Sequence, residues 1–245
     1  MTKSPYYKRT IVKEEMTSDI LGEDRSLRVL LPPDYDETKT YPVIYCQDGE
    51  QFFNYGRIAT IATQLMAEGE MSHAIIAGID VILKTRTEDY SPDGQRFEKY
   101  CRFVTEEAIP LIEQKYAVSK EPSGRIAAGD SLGGTVSLHL ALDYPELFAK
   151  VLSLSGAFLN PTFERMKQAD DLTGLDIYML IGTEETEVKT DRGTYDFLKV
   201  NRDLKPMLEN KGAVVKYVEK EGKHIWGFWQ KELPDALKYF LGTEK

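Results

Sequence analysis

One serine sits where its neighbours could make it a nucleophile. Ser131 lies in Gly129-Asp130-Ser131-Leu132-Gly133-Gly134, a G-x-S-x-G pattern with an apolar strand-like run before it and a helix-like run after it. A side chain at the apex of a strand-to-helix turn is crowded by the flanking backbone. Glycine two positions before and two after relieves that crowding. The helix start also aims backbone N–H groups and the positive end of its dipole at the same point, which suits an oxyanion. The competing reading is a glycine-rich helix start that only lets strand and helix pack closely. A phosphate loop does not fit, because Thr135 stands where that motif requires lysine.

A serine hydroxyl needs a base, and the chain has three histidines. His73 precedes an expected strand and falls at the opposite end of the sheet. His139 lies about two turns along the helix that Ser131 opens, too far to reach it, and reads as a packed core residue. His224, in EKEGKHIWGFW, follows the last expected strand and alone fits the order serine, acid, histidine. The acid belongs after the strand LDIYMLIG, where TEETE offers Glu184, Glu185 and Glu187. Spacing leaves the three open, with Glu185 preferred at the G-x-x-E position. A carboxylate there would fix the imidazole tautomer and stabilise the imidazolium.

The elements that must position these residues follow from periodicity. TIVKEEMTS and RSLRVLLPPDY read as antiparallel strands, the second halted by Pro32-Pro33. YPVIYCQDG, SHAIIAGID, GRIAAGD, KVLSLSGAF, LDIYMLIG and AVVKYVEK read as further strands, the first two as buried ones. Helices are expected over RIATIATQLMAEGE, FEKYCRFVTEEAIPLIEQKY (kinked or divided at Pro110), the segment opened by Ser131, around 163–166, from about 195 to 210, and through LPDALKYFLG. LKTRTEDYSPDGQRF reads as a polar loop. The pattern implies an α/β fold: a mostly parallel central sheet with antiparallel N-terminal strands, helices on both faces and sites beyond the carboxyl ends of the strands. With no repeat or low-complexity linker, residues 1–245 read as a single domain. Between Gly156 and Leu175 there is room for only a minimal cap, which leaves the site fairly open.

Composition narrows the partners. A formal net charge of -9 over 245 residues argues against nucleic acid and anionic membranes. The chain has no span-length apolar stretch, and its N-terminus has no apolar segment of the secretory kind. A cytoplasmic protein is the expectation. Cys46 and Cys101 fit neither a metal-ligand nor a redox spacing, and Cys46 reads as a small buried hydrophobe.

Together these motifs resemble the α/β-hydrolase fold, and within it the putative-esterase family, which includes S-formylglutathione hydrolases, feruloyl esterase domains, mycolyltransferases and enterochelin-type esterases. The resemblance covers nearly the whole chain. YPVIYCQDGEQFF is similar to the family's strand ending in Asp-Gly or His-Gly, GDSLGG to its nucleophile turn, GTEE to its Gly-x-x-acid turn, and GKHIWGFWQKELPDAL to its Gly-x-His-x-Trp segment. It implies a cofactor-free serine esterase acting on a small-molecule ester, with Ser131 as nucleophile, His224 as base and Glu185 as acid. The oxyanion hole would be the backbone N–H groups of Leu132 and Glu50. Glutamate replaces the more usual aspartate, and Asp48 stands where other members carry histidine. TRTEDYSP resembles the family's Arg-x-x-Asp-[Phe/Tyr]-x-Pro stretch. Arg86 there would bind a substrate carbonyl or carboxylate, or order the loop by pairing with Asp89 or Glu88. Trp226, Phe228 and Trp229 would wall an acyl pocket or seat the last helix, the latter for at least two of them. The rivals to hydrolysis are transfer of the acyl group to an alcohol and a catalytically silent binding protein.

Overall fold

The structure is a computed structural model that describes residues 8–169 and 171–243. In chain order its elements are β1 (Thr10–Ser18), β2 (Glu23–Leu31), β3 (Val43–Cys46), α1 (Gly49–Asn54), α2 (Ile58–Ala67), β4 (Ile75–Ile79), α3 (Arg86–Tyr90), α4 (Phe97–Arg102), a π-helical turn (Phe103–Ala108) and α5 (Ile109–Lys115). Then come β5 (Arg125–Asp130), α6 (Leu132–Asp143), β6 (Lys150–Leu154), α7 (Asn160–Gln168), β7 (Asp176–Gly182), β8 (Val188–Thr190), β9 (Gly193–Tyr195), α8 (Phe197–Glu209), β10 (Val214–Lys220) and α9 (Trp226–Leu241). Eight strands form one sheet in the order β1-β2-β4-β3-β5-β6-β7-β10. The β1/β2 and β2/β4 pairs are antiparallel and the remaining pairs parallel.

Alternation of side chains along the strands divides the core in two. Tyr45, Ala77, Ala127, Val151 and Met179 face α4–α5, α6 and α8. Ile44, Cys46, Ile76, Ala128, Leu152 and Leu180 face α1, α2 and α9. Burial on both faces explains why the central strands read as unbroken apolar runs. Cys46 and Cys101 are buried free thiols, both pushed upward by desolvation, as inert small hydrophobes should be.

The sequence-based elements hold, with the last helix beginning at Trp226 rather than near Leu233 and with further detail at several others. The polar stretch before α4 contains a five-residue helix, α3, anchored by buried Asp89 and Tyr90. Helix α1 follows the Asp48-Gly49 turn directly. The long helix is divided as Pro110 suggests: Pro110 sits in the first turn of α5, behind the π-helical turn. In that turn the Glu107 carboxylate accepts from the Ser18 hydroxyl and from the N–H groups of Asp19 and Ile20, so the wider turn grips the β1–β2 connection. Finally, Tyr195 ends the β8–β9 hairpin rather than opening a helix.

Candidate active site

The G-x-S-x-G turn works by close approach. A Cβ on Gly129 would lie 2.1 Å from the Gly133 carbonyl, so strand β5 and helix α6 can meet at this distance only with glycine there. Ser131 holds φ 52° and ψ −122°, a strained backbone that projects its side chain beyond the strand end. Its neighbours lock it: Ser131 N donates to Leu154 O at 2.9 Å, and Ala157 N donates to Ser131 O at 3.0 Å. Leu132 is the first residue of α6 and Glu50 the second of α1. Both N–H groups therefore stand in first turns, where a helix supplies no acceptor.

His224 follows β10 and is clasped between the rings of Phe197 and Trp229, each with its centroid 4.9 Å away. Its Nδ1 lies 2.6 Å from Glu185 Oε2. That leaves Nε2 as the ring nitrogen available to the cleft. Glu185 is fully buried, and its other oxygen accepts from Ser155 Oγ at 2.6 Å and from Gly182 N at 2.9 Å. Trp229 Nε1 donates to the same Ser155 hydroxyl at 2.8 Å. The two neighbouring glutamates are exposed, Glu184 lying 3.5 Å from Lys223 Nζ. Of the three acids left open by spacing, only Glu185 reaches the histidine.

Ser131 and His224 line one cleft of about 290 Å³. Leu132, Ala157, Leu159, Val188, Tyr195 and Phe197 make its apolar wall. Its roof is the β8–β9 hairpin, while the 156–175 segment, whose described residues hold only helix α7, contributes Ala157 and Leu159 to the wall. Arg192 ties that hairpin to the α3 loop through Asp93 Oδ1 (2.6 Å), Ser91 Oγ (3.0 Å) and Glu88 Oε1 (3.2 Å), while Thr87 Oγ1 donates to Asp191 at 2.8 Å.

Arg86 also lines the cleft, but its guanidinium makes a bidentate pair with Asp48, Nε–Oδ1 2.7 Å and Nη2–Oδ2 2.8 Å. The expected loop partners are both taken. Asp89 is held by Arg25 (2.9 Å) and Arg96 (2.6 Å), and Glu88 by Arg192. Asp48 is itself buried, at φ 54°, and lies against Gly133 of the serine turn. The pair thus ties α3 to the β3–α1 turn and sets it beside the Ser131 turn. Trp226 does not line the cleft; it packs on Phe52 and Trp229 at 5.0 and 5.2 Å. Phe228 and Trp229 are buried and seat α9 on the sheet. His139 is a buried core residue, its Nε2 3.1 Å from Thr162 Oγ1, and burial pushes its pKa down to about 4.

Ser155 was not singled out from sequence. The one signal was its place immediately after β6, at the carboxyl edge where such sheets put reactive groups. Among the described residues no group of three or more His, Cys, Asp or Glu side chains is placed to hold a metal ion, and no helix is long and apolar enough to cross a membrane.

Comparison with known proteins follows the same lines. The sequence pattern of the family described as "Putative esterase" matches residues 18–240. The chain is 38% identical over 234 residues to the uncharacterized protein YjcH of Bacillus subtilis (strain 168), covering 95% of this chain and 98% of that one. A ferulic acid esterase structure superposes with a TM-score of 0.81 at 22% identity, over 96% of this chain and 98% of that one. The enterobactin esterase FES from Shigella flexneri superposes with a TM-score of 0.80 at 20% identity, over 97% of this chain and 60% of that one. At these identities the two structures establish a shared α/β-hydrolase-like fold.

Proposed function

Because the chain belongs to the Putative esterase family and is a carboxylic ester hydrolase, we propose that it works through a Ser131–His224–Glu185 triad and an acyl-enzyme. The observation that carries this reading is the 2.6 Å contact between His224 Nδ1 and buried Glu185, with His224 and Ser131 on the same cleft. Ser131 Oγ attacks the ester carbonyl carbon as His224 Nε2 takes its proton. The oxyanion is met by the N–H groups of Leu132 and Glu50. When the intermediate collapses, the carbonyl–oxygen bond to the alcohol breaks and His224 returns the proton to the leaving oxygen. Water then repeats the sequence on the acyl-enzyme, releasing the acid and restoring Ser131. Glu185 accepts from His224 Nδ1 and stabilises the imidazolium.

The substrate is a small-molecule ester taken into the cleft, and residues 1–245 act as a single domain. Arg86 acts by holding Asp48, since its Nε and Nη2 are both committed to that carboxylate. The test is labelling by a fluorophosphonate together with turnover of 4-nitrophenyl esters from acetyl to octanoyl. Parent enzyme should label and turn over, while Ser131→Ala and His224→Ala should do neither. Full turnover by Ser131→Ala would overturn the mechanism.

A further inference from the structure

We propose that Ser155 and Trp229 are positioning residues for this reaction: the indole N–H orients the Ser155 hydroxyl, and that hydroxyl fixes the Glu185 carboxylate against His224. The inference rests on the triad reading and adds to it the groups that hold the acid in place.

The direction of every bond in this chain is forced by chemistry. Trp229 Nε1 can only donate, and an ionised carboxylate can only accept. The Ser155 hydroxyl between them, 2.8 Å from the indole and 2.6 Å from Glu185 Oε1, must therefore accept from one and donate to the other. Ser155 and Glu185 are fully buried and Trp229 is 4% exposed, so bulk solvent does not compete for these bonds. Gly182 N supplies a second donor to Oε1, which leaves Oε2 for the histidine. Ser155 is held in its place by backbone as well. It occupies φ 51°, and its N–H donates to Leu180 O at 2.7 Å. Trp229 reaches the site twice, through the serine to the acid and by a T-shaped ring contact with the imidazole. Neither residue lines the cleft, so their effect on the reaction passes through Glu185 and His224 rather than through contact with substrate.

A packing role and a positioning role make different demands. If Trp229 only fills space, a phenyl ring serves nearly as well. If its N–H matters, Trp229→Phe lowers kcat and leaves KM alone. A hydrogen bond to a charged group is worth about 1.5–3 kcal/mol, so Ser155→Ala should lower kcat roughly 10- to 100-fold, and Trp229→Phe by a smaller factor. Through the hydroxyl the two act in series, and Trp229→Phe keeps a ring against His224, so the double variant should be no slower than Ser155→Ala alone. In a Glu185→Gln background, adding Ser155→Ala should change nothing further. The second readout is the low-field proton resonance of His224 Nδ1–H, identified by its loss in His224→Ala. It should move in Ser155→Ala and in Trp229→Phe, and Trp229→Phe keeps a ring in the core should the serine variant fold poorly. Multiplying losses in the double variant, a loss that appears in KM, or an unmoved His224 resonance would overturn the proposal while leaving the triad standing. If Glu185→Gln keeps full activity yet the resonance still moves with Ser155, the positioning of Glu185 stands and the triad reading falls.

Discussion

Buried carboxylates flank the Ser131 turn on two sides, and the two sides are finished differently. On the histidine side, both oxygens of Glu185 are met by donors: Ser155 and Gly182 on one, His224 on the other. On the α3 side, Asp48 and Asp130 share one guanidinium, which gives its fork to Asp48 and reaches only the main-chain oxygen of Asp130, at 3.4 Å. Asp130 Oδ1 meets no hydrogen-bond donor among the described residues. Burial, and then the nearby Asp48 charge, push the Asp130 pKa up to about 8 against the pull of Arg86. Under the proposed triad, nearness to Ser131 in sequence therefore does not select the acid, since Asp130 is its immediate neighbour. Supplied donors do, because a carboxylate that must answer a developing imidazolium has to stay ionised while out of water.

The sharpest way to separate the two sides is to neutralise one acid at a time. Glu185→Gln should cut kcat by about 10⁴-fold while leaving the thermal midpoint nearly unchanged, whereas Glu184→Gln and Glu187→Gln should leave turnover intact. Next in size is the opposite pattern. Arg86→Gln strands buried Asp48, a change that typically costs about 3–5 kcal/mol, and should appear first as lost stability in urea. A collapse of kcat in fully folded Arg86→Gln would erase the distinction between the sides. Smaller again is Asp130→Asn. Because its folded pKa lies above that of an unfolded carboxyl, Asp130 contributes stability that is complete in acid and lost as pH rises through about 8. The variant should flatten this decline and melt a few degrees above the parent near pH 9. The smallest effect belongs to a control remote from both sides. His139, pushed down to about 4, contributes stability that is present above the ordinary histidine range and lost as pH falls through about 4. His139→Gln should soften that acid-side drop in melting temperature without altering turnover.

What the chain discloses by itself divides along a physical line. Parallel strands such as β3 and β5 are legible because burial on both faces forces apolar runs, and the serine turn because close backbone approach forces glycine. The β8–β9 hairpin is not legible. Its three-residue strands are mostly exposed and carry no apolar alternation, since a charged latch to the α3 loop holds them and only Val188 and Tyr195 pack on the small cluster around Phe197. The partner of Arg86 is hidden for a related reason: two carboxylates lie within three residues of it, yet the one it takes is 38 positions away in sequence. Choosing among Glu184, Glu185 and Glu187 likewise needed three dimensions. All three share one acidic turn, and only the fold shows which of them faces Ser155 and His224.

The strand order has a consequence for how function arrives during folding. Ser131 follows β5, Glu185 follows β7 and His224 follows β10, the outermost strand at that edge of the sheet. Closing these distant segments into register is the entropically demanding part of assembling such a sheet. A molecule caught with β10 undocked would keep its nucleophile turn and its acid but have no base. Under the proposed triad, turnover is then a census of chains whose last edge has closed, and it reports completion of the fold more strictly than helix content does.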